Sequence, residues 1–176
     1  LTPPARPPRR PSATMLPMHD GSNPLLRFVH ARGPEPALSL DELTLSFAAL
    51  DELSAGVASA LARRGLSKGD RAALVVRSSV DGVACLLGCL RRGVVVVPVN
   101  PGYQEQELAH VLADSGASLV IEDESCAALR AVTATTPVVS SRALLEEGAA
   151  TLDAADVALH GDDLAMLIYT SGTTGR

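Results

Sequence analysis

Apolar positions recur along this chain at two alternating spacings. Leu38, Leu40, Leu43 and Leu45 alternate with polar residues around Asp41-Glu42, which predicts a hairpin of two short strands. Phe47, Leu50, Val57 and Leu61 then keep a helical spacing, with Ser46 as a cap and Gly65 as a stop after Arg63 and Arg64. Ala72 to Val76 reads as a strand, and Val80 to Arg92 as a helix capped by Ser78 or Ser79 and closed by Gly93. The alternation continues with a strand over Val94 to Val97, a helix over Gln104 to Ser115 ended by Gly116, and a strand over Ser118 to Ile121. It is less regular through Ser125 to Val132, Val138-Val139 and Ala143 to Glu147. A last apolar run, Leu164 to Tyr169, is too short for an ordinary helix and predicts a buried or half-buried strand feeding a loop. Strands of continuous Val and Leu alternating with helices imply an α/β fold: a mostly parallel sheet covered by helices, with a short hairpin near the start.

The first residues break this pattern. Residues 1–24 hold seven of the twelve prolines together with Arg6, Arg9 and Arg10, so neither helix nor sheet ladder is expected there. This stretch reads as a disordered or wrongly translated leader ahead of Met15 and Met18, in preference to a transit peptide, whose amphipathic helix the prolines would spoil. A short amphipathic helix is expected from Asn23 to His30, and residues 25–176 form the globular part.

Composition narrows the chemistry. Among 176 residues, 47% are hydrophobic and only 2% aromatic, so the core is built from Ala, Val and Leu. A formal net charge of −5 argues against nucleic acid or an anionic membrane as partner, and no apolar run is long enough to span a bilayer. Cys85, Cys89 and Cys126 are too few, and odd in number, for a disulfide framework, which favours a reducing cytoplasm. Cys85 and Cys89 lie four apart on a predicted helix and are read as small packing residues, since no further metal ligand accompanies them.

The chemistry sits at the end of the chain, in Thr170-Ser171-Gly172-Thr173-Thr174-Gly175. Gly172 and Gly175 let backbone N–H groups approach a ligand, and the hydroxyls of Thr170, Ser171, Thr173 and Thr174 add further donors. Such a loop suits a polyphosphate, with a hydroxyl in reach of its Mg²⁺; a solvated turn has the same composition. Neither a Walker A loop nor a Gly-x-Gly-x-x-Gly motif can be written through it.

Tyr169-Thr170-Ser171-Gly172-Thr173-Thr174-Gly175 resembles the phosphate-loop signature of the adenylate-forming superfamily, which includes acyl-CoA synthetases, peptide-synthetase adenylation domains and luciferases. Three earlier stretches resemble the same family in order: Leu45 to Leu50, Gly65 to Arg71, and Arg92 to Pro101. Ala49 departs from the Glu usual in the first of these, which bears on a helix start more than on function. Gly69-Asp70 and Asn100 are read as a turn and a loop-stabilising side chain. Asn100 and Thr173 lean towards acyl-CoA synthetases, because peptide-synthetase domains tend to carry Asp and Ser there.

The resemblance implies an AMP-forming acid–thiol ligase. A carboxylic acid would be activated by ATP and Mg²⁺ to an acyl-adenylate and passed to CoA, with Thr170 to Gly175 holding phosphate. It implies that residues 25–176 are the N-terminal part of the adenylation domain, stopping inside the motif, with the loop Lys, the nucleoside contacts and every catalytic residue elsewhere. Two alternatives stand beside this reading: an adenylation domain of a peptide synthetase, and a non-catalytic remnant or interaction domain.

Overall fold

The computed structural model describes residues 32–133, 135–150 and 157–170. The leader, the helix expected from Asn23 to His30 and residues Ser171 to Arg176 lie outside them.

The chain opens with the expected hairpin. Strands β1 (Pro36–Leu40) and β2 (Leu43–Ser46) pair antiparallel, Leu40 opposite Leu43. The two-residue connection needs a positive φ, which Asp41 supplies at 51°. Ser46 then caps helix α1 (Phe47–Arg63), its Oγ accepting from the Ala49 amide at 3.1 Å.

Four parallel strands follow: β3 (Arg71–Val75), β4 (Val95–Pro98), β5 (Leu119–Glu122) and β6 (Val138–Ser140). Their order across the sheet is β4-β3-β5-β6, and every neighbouring pair is parallel. The crossovers are helices α2 (Val80–Arg92), α3 (Glu105–Ser115) and the single turn α4 (Leu129–Val132); α5 (Ser141–Ala149) follows β6. Caps stand where the sequence places them: Ser79 Oγ accepts from the Gly82 amide at 3.0 Å, and Gly93 and Gly116 close α2 and α3. Element ends up to β5 differ from the predicted ones by a residue or so, whereas the less regular Ser125 to Val132 stretch forms a helix only over Leu129–Val132 and α5 extends two residues beyond Ala143 to Glu147 at each end.

Strand side chains alternate between two cores because successive residues point to opposite faces. On one face, Ala72, Leu74, Val96, Leu119 and Ile121 pack against Val57, Leu61, Cys85, Cys89 and Leu144 of α1, α2 and α5. On the other, Ala73, Val75, Val97 and Val120 pack against Leu108, Val111, Leu112 and Leu129 of α3 and α4. A sheet buried on both faces explains why its strands are continuous Val, Leu and Ala instead of alternating with polar residues.

Cys85 and Cys89 are packing residues, as read. Both are fully buried and unpaired, and burial pushes the Cys85 thiol up to about 12 and raises that of Cys89 as well. The thiolate is the reactive form, so both should resist thiol reagents at neutral pH while the chain is folded and react on unfolding. Rapid modification of either with a coloured disulfide reagent, without loss of structure, would contradict their place in the core.

Candidate functional site

Of the candidate loop, Thr170 is described and exposed, and Ser171, Gly172, Thr173, Thr174 and Gly175 lie outside the described residues. What the structure defines is how the chain is delivered to that loop, and three attachments do this.

The first attachment is ionic. Lys68 Nζ pairs with Asp163 Oδ2 at 2.5 Å and donates to the Ala158 carbonyl at 3.1 Å, while Asp163 Oδ2 also accepts from the His160 amide at 2.6 Å. Gly93 lies beneath this contact with φ of 72°, and a Cβ built on it would fall 2.9 Å from Lys68 Cγ and 3.1 Å from Leu159 Cδ2. Glycine is required there for its backbone and for the space. The Gly93 carbonyl in turn accepts from the Gly69 amide at 2.9 Å. The Lys68 turn, the Gly93 stop and the segment ahead of the loop, far apart in sequence, therefore meet at one place.

The hydrogen bond from Lys68, helped by the His160 amide, holds the Asp163 carboxyl below its ordinary 3.8. A carboxylate whose folded pKa is depressed contributes stability above the unfolded value, and that contribution is lost as pH falls through the folded one. The Asp163 titration should accordingly lie below 3.8 by carboxyl NMR and return towards 3.8 in Lys68→Ala. An unchanged titration would show that the pair does not persist in solution. The pair is part exposed, so its effect on overall stability should be small.

The second attachment is to the sheet. Val96 N donates to the Ala165 carbonyl at 3.0 Å and Leu167 N donates to the Val96 carbonyl at 2.9 Å, so Met166 forms a single parallel bridge to the free edge of β4. The predicted strand from Leu164 to Tyr169 is thus an extended segment with one bridge. Met166 packs on the α2 face, and Leu167 and Tyr169 on the α3 face. Leu164 and Ile168 are 51% and 71% exposed, contrary to the burial expected of them. Among the described residues the segment's one ladder contact is this bridge to β4. Because it runs parallel to β4, it heads towards the carboxyl edge of the sheet, where open α/β sheets bind their ligands.

The third attachment is a side chain. The Tyr169 hydroxyl donates to Asp114 Oδ2 at 2.5 Å, and its ring meets that of His110 edge-on, centroids 6.4 Å apart. The Asp114 hydrogen bond, which favours the neutral phenol, raises the Tyr169 pKa above its ordinary value. Nothing in the sequence signals this contact, since 55 residues separate the partners.

Asn100 and Gly69-Asp70 act as read. Asn100 Oδ1 accepts from the Gly102 amide at 2.9 Å and closes a turn ahead of α3; Asp70 Oδ2 accepts from the Ser67 amide at 2.7 Å. A cavity of about 440 Å³ opens elsewhere, past the end of β5, lined by Glu122, Glu124, Cys126, Arg130, Thr133 and Val138 among others. Two carboxylates against one guanidinium give it little to offer a polyphosphate. Among the described residues no group of three or more His, Cys, Asp or Glu could hold a metal.

A parallel four-stranded sheet flanked by helices, with a short antiparallel hairpin ahead of it, matches the N-terminal subdomain of adenylate-forming enzymes. The chain belongs to the AMP-binding enzyme family, whose model matches residues 26–176. It is 36% identical over 151 residues to surfactin synthase subunit 3 of Bacillus subtilis, covering 84% of this chain and 12% of that one. It is 32% identical over 144 residues to the long-chain-fatty-acid–CoA ligase FadD13 of Mycobacterium tuberculosis, covering 77% and 29%. O-succinylbenzoate coenzyme A synthetase (MenE) from Bacillus subtilis, solved in complex with AMP, superposes with a TM-score of 0.74 at 28% identity, covering 86% of this chain and 39% of that one. The chain therefore spans well under half of the length of each of these relatives.

Proposed function

We propose that this chain is the N-terminal part of the adenylation domain of an enzyme that activates a carboxylic acid with ATP and passes the acyl group to a thiol. The observation that carries the reading is the sequence Thr170 to Gly175 at the end of a segment laid along β4. The acid's carboxylate attacks the α-phosphate, pyrophosphate leaves, and the thiol then attacks the acyl-adenylate. Charge accumulates on phosphate oxygens in the first step, so catalysis requires positioned donors. Backbone amides around Gly172 and Gly175 and the hydroxyls of Thr170, Ser171, Thr173 and Thr174 are suited to hold the outer phosphates. Mg²⁺ would accompany the triphosphate and offset its charge. Three unpaired, buried cysteines suit a reducing, cytoplasmic setting.

CoA is the acceptor that Asn100 and Thr173 favour, and MenE and FadD13 carry that acceptor in their names. A carrier-protein thiol is the second reading, supported by the adenylation domains of peptide synthetases among the relatives. Acid-dependent ATP–pyrophosphate exchange, measured on the protein as its gene encodes it across a panel of carboxylic acids, tests the first step. Exchange with none of them would overturn the proposal. Thioester formation with CoA against a phosphopantetheinyl carrier then separates the acceptors. Residues 1–176 alone should show no exchange above blank, because the resemblance puts the loop Lys and the nucleoside contacts outside this stretch.

A further inference from the structure

We infer that the cavity past the end of β5 is a binding site for a small aliphatic zwitterion, its ammonium held by Glu122 and Glu124 and its carboxylate by Arg130. The site is separate from the proposed phosphate loop and shares no residue with it.

The cavity exists because one crossover is too short. Helices α2 and α3 have 13 and 11 residues, whereas α4, between β5 and β6, is a single turn of four. The cause is local. Thr133, Thr135, Thr136 and Pro137 follow α4, and β-branched residues lose side-chain freedom in a helix while proline cannot continue one. A parallel sheet needs cover on both faces, and over β6 one face has too little. Val138 stands beside Val120 in the ladder, so both point to the face covered by α3 and α4. Val120 is fully buried there, and Val138 is 42% exposed. Val139, on the opposite face, packs in the core that holds Leu144 of α5. The gap beside Val138 is the cavity of about 440 Å³, a volume in the range of small-ligand sites, with Leu129 and Cys126 as further apolar lining.

Its polar lining carries charges of both signs that do not meet. Glu122 is the last residue of β5, and its Oε2 accepts from the Glu124 amide at 2.5 Å, across a turn in which Glu124 has a φ of 62°. Arg130 lines the same cavity from α4. Among the described residues, neither the Glu124 carboxylate nor the Arg130 guanidinium has a hydrogen-bond or ion-pair partner, each other included. A simple anion entering here would meet two carboxylates, and a simple cation would meet the guanidinium. A molecule whose ammonium and carboxylate are joined to an aliphatic body gives each charged group an opposite partner and lays its carbons on Val138 and Leu129. The position is also where open α/β sheets take their ligands, outside the carboxyl ends of the strands.

The test is amide NMR of the whole 176-residue chain with L-norleucine, pentylamine and hexanoate, the last two being norleucine without its carboxylate and without its ammonium. L-Norleucine should saturably shift the amides from Glu122 to Val132 and those of Val138 and Val139, with a Kd on the order of 1 mM for a ligand of this size. Each half-molecule should bind about tenfold more weakly, having lost one charge-assisted contact. Arg130→Ala should weaken L-norleucine about tenfold and abolish its advantage over pentylamine. Glu124→Gln should weaken it as well and narrow its advantage over hexanoate instead. Both side chains are exposed, so neither change should move the melting temperature. Absence of a saturable shift with L-norleucine overturns the proposal. So does parent-like affinity in both variants, which would put the ligand elsewhere on the chain. Pentylamine or hexanoate binding the parent as tightly as L-norleucine would make the cavity a site for one sign of charge, and the zwitterion assignment would be wrong.

Discussion

Gly148→Ala should lower the melting temperature by about 4–8 °C, whereas Gly56→Ala should leave it nearly unchanged. Helices α1 and α5 cross at these two glycines. A Cβ on Gly148 would fall 2.3 Å from the Gly56 carbonyl carbon and 2.6 Å from its oxygen, while a Cβ on Gly56 would meet Gly148 no closer than 3.0 Å. The atoms in the way are backbone, so no rotamer change relieves the first clash and the helices must move apart. Overpacking of this kind costs about 3 kcal/mol. Alanine's better helix propensity returns about 1 kcal/mol at either position. The net loss at Gly148 is about 2 kcal/mol, and a domain of this size loses about 2–4 °C for each. At Gly56 the contact needs a shift of only tenths of an ångström, and the propensity gain offsets it. Thermal unfolding followed by circular dichroism gives both values. Equal melting temperatures for the two variants would mean that the helices do not meet as closely as the geometry says.

Replacing both Gly172 and Gly175 by Ala should reduce acyl-adenylate formation on the order of 100-fold or more while changing stability little. The two residues lie outside the described part of the structure, so the expectation comes from the sequence and from the direction in which Tyr169 hands the chain on. Added methyl groups would block the approach of backbone amides to phosphate, and misplacing a triphosphate removes interactions that grow in the transition state. The loop contributes little to the core, so the added methyl groups should cost far less in stability than in rate. Thr173→Ala should be milder, because neighbouring hydroxyls and amides remain. Pyrophosphate release and melting temperature measured on the same variants separate the possibilities. A double variant that melts far lower yet turns over normally would make the loop a structural turn.

The sequence made most of the fold legible because its signals are local. Ser46 and Ser79 bond amides three residues ahead, Gly93 and Gly116 stop helices at their own positions, and Val94 to Val97 is β-branched throughout. The proposed phosphate loop stands out in the sequence for the same reason, its glycines and hydroxyls being consecutive. The Leu164 to Tyr169 run was harder, since apolar composition announces an extended segment but not how many neighbours it finds. Among the described residues it makes one bridge, to β4, and Leu164 and Ile168 are exposed.

Sequence alone determined the alternation of elements, their caps and the chemical character of the loop, because each depends on residues within a few positions of one another. Tertiary structure alone decided the strand order β4-β3-β5-β6, the meeting of Lys68 and Gly93 with Asp163 and Leu159, and the hold of Asp114 on Tyr169. Those contacts join residues dozens of positions apart, and such pairs come together only when burial of two hydrophobic faces brings their elements into one sheet.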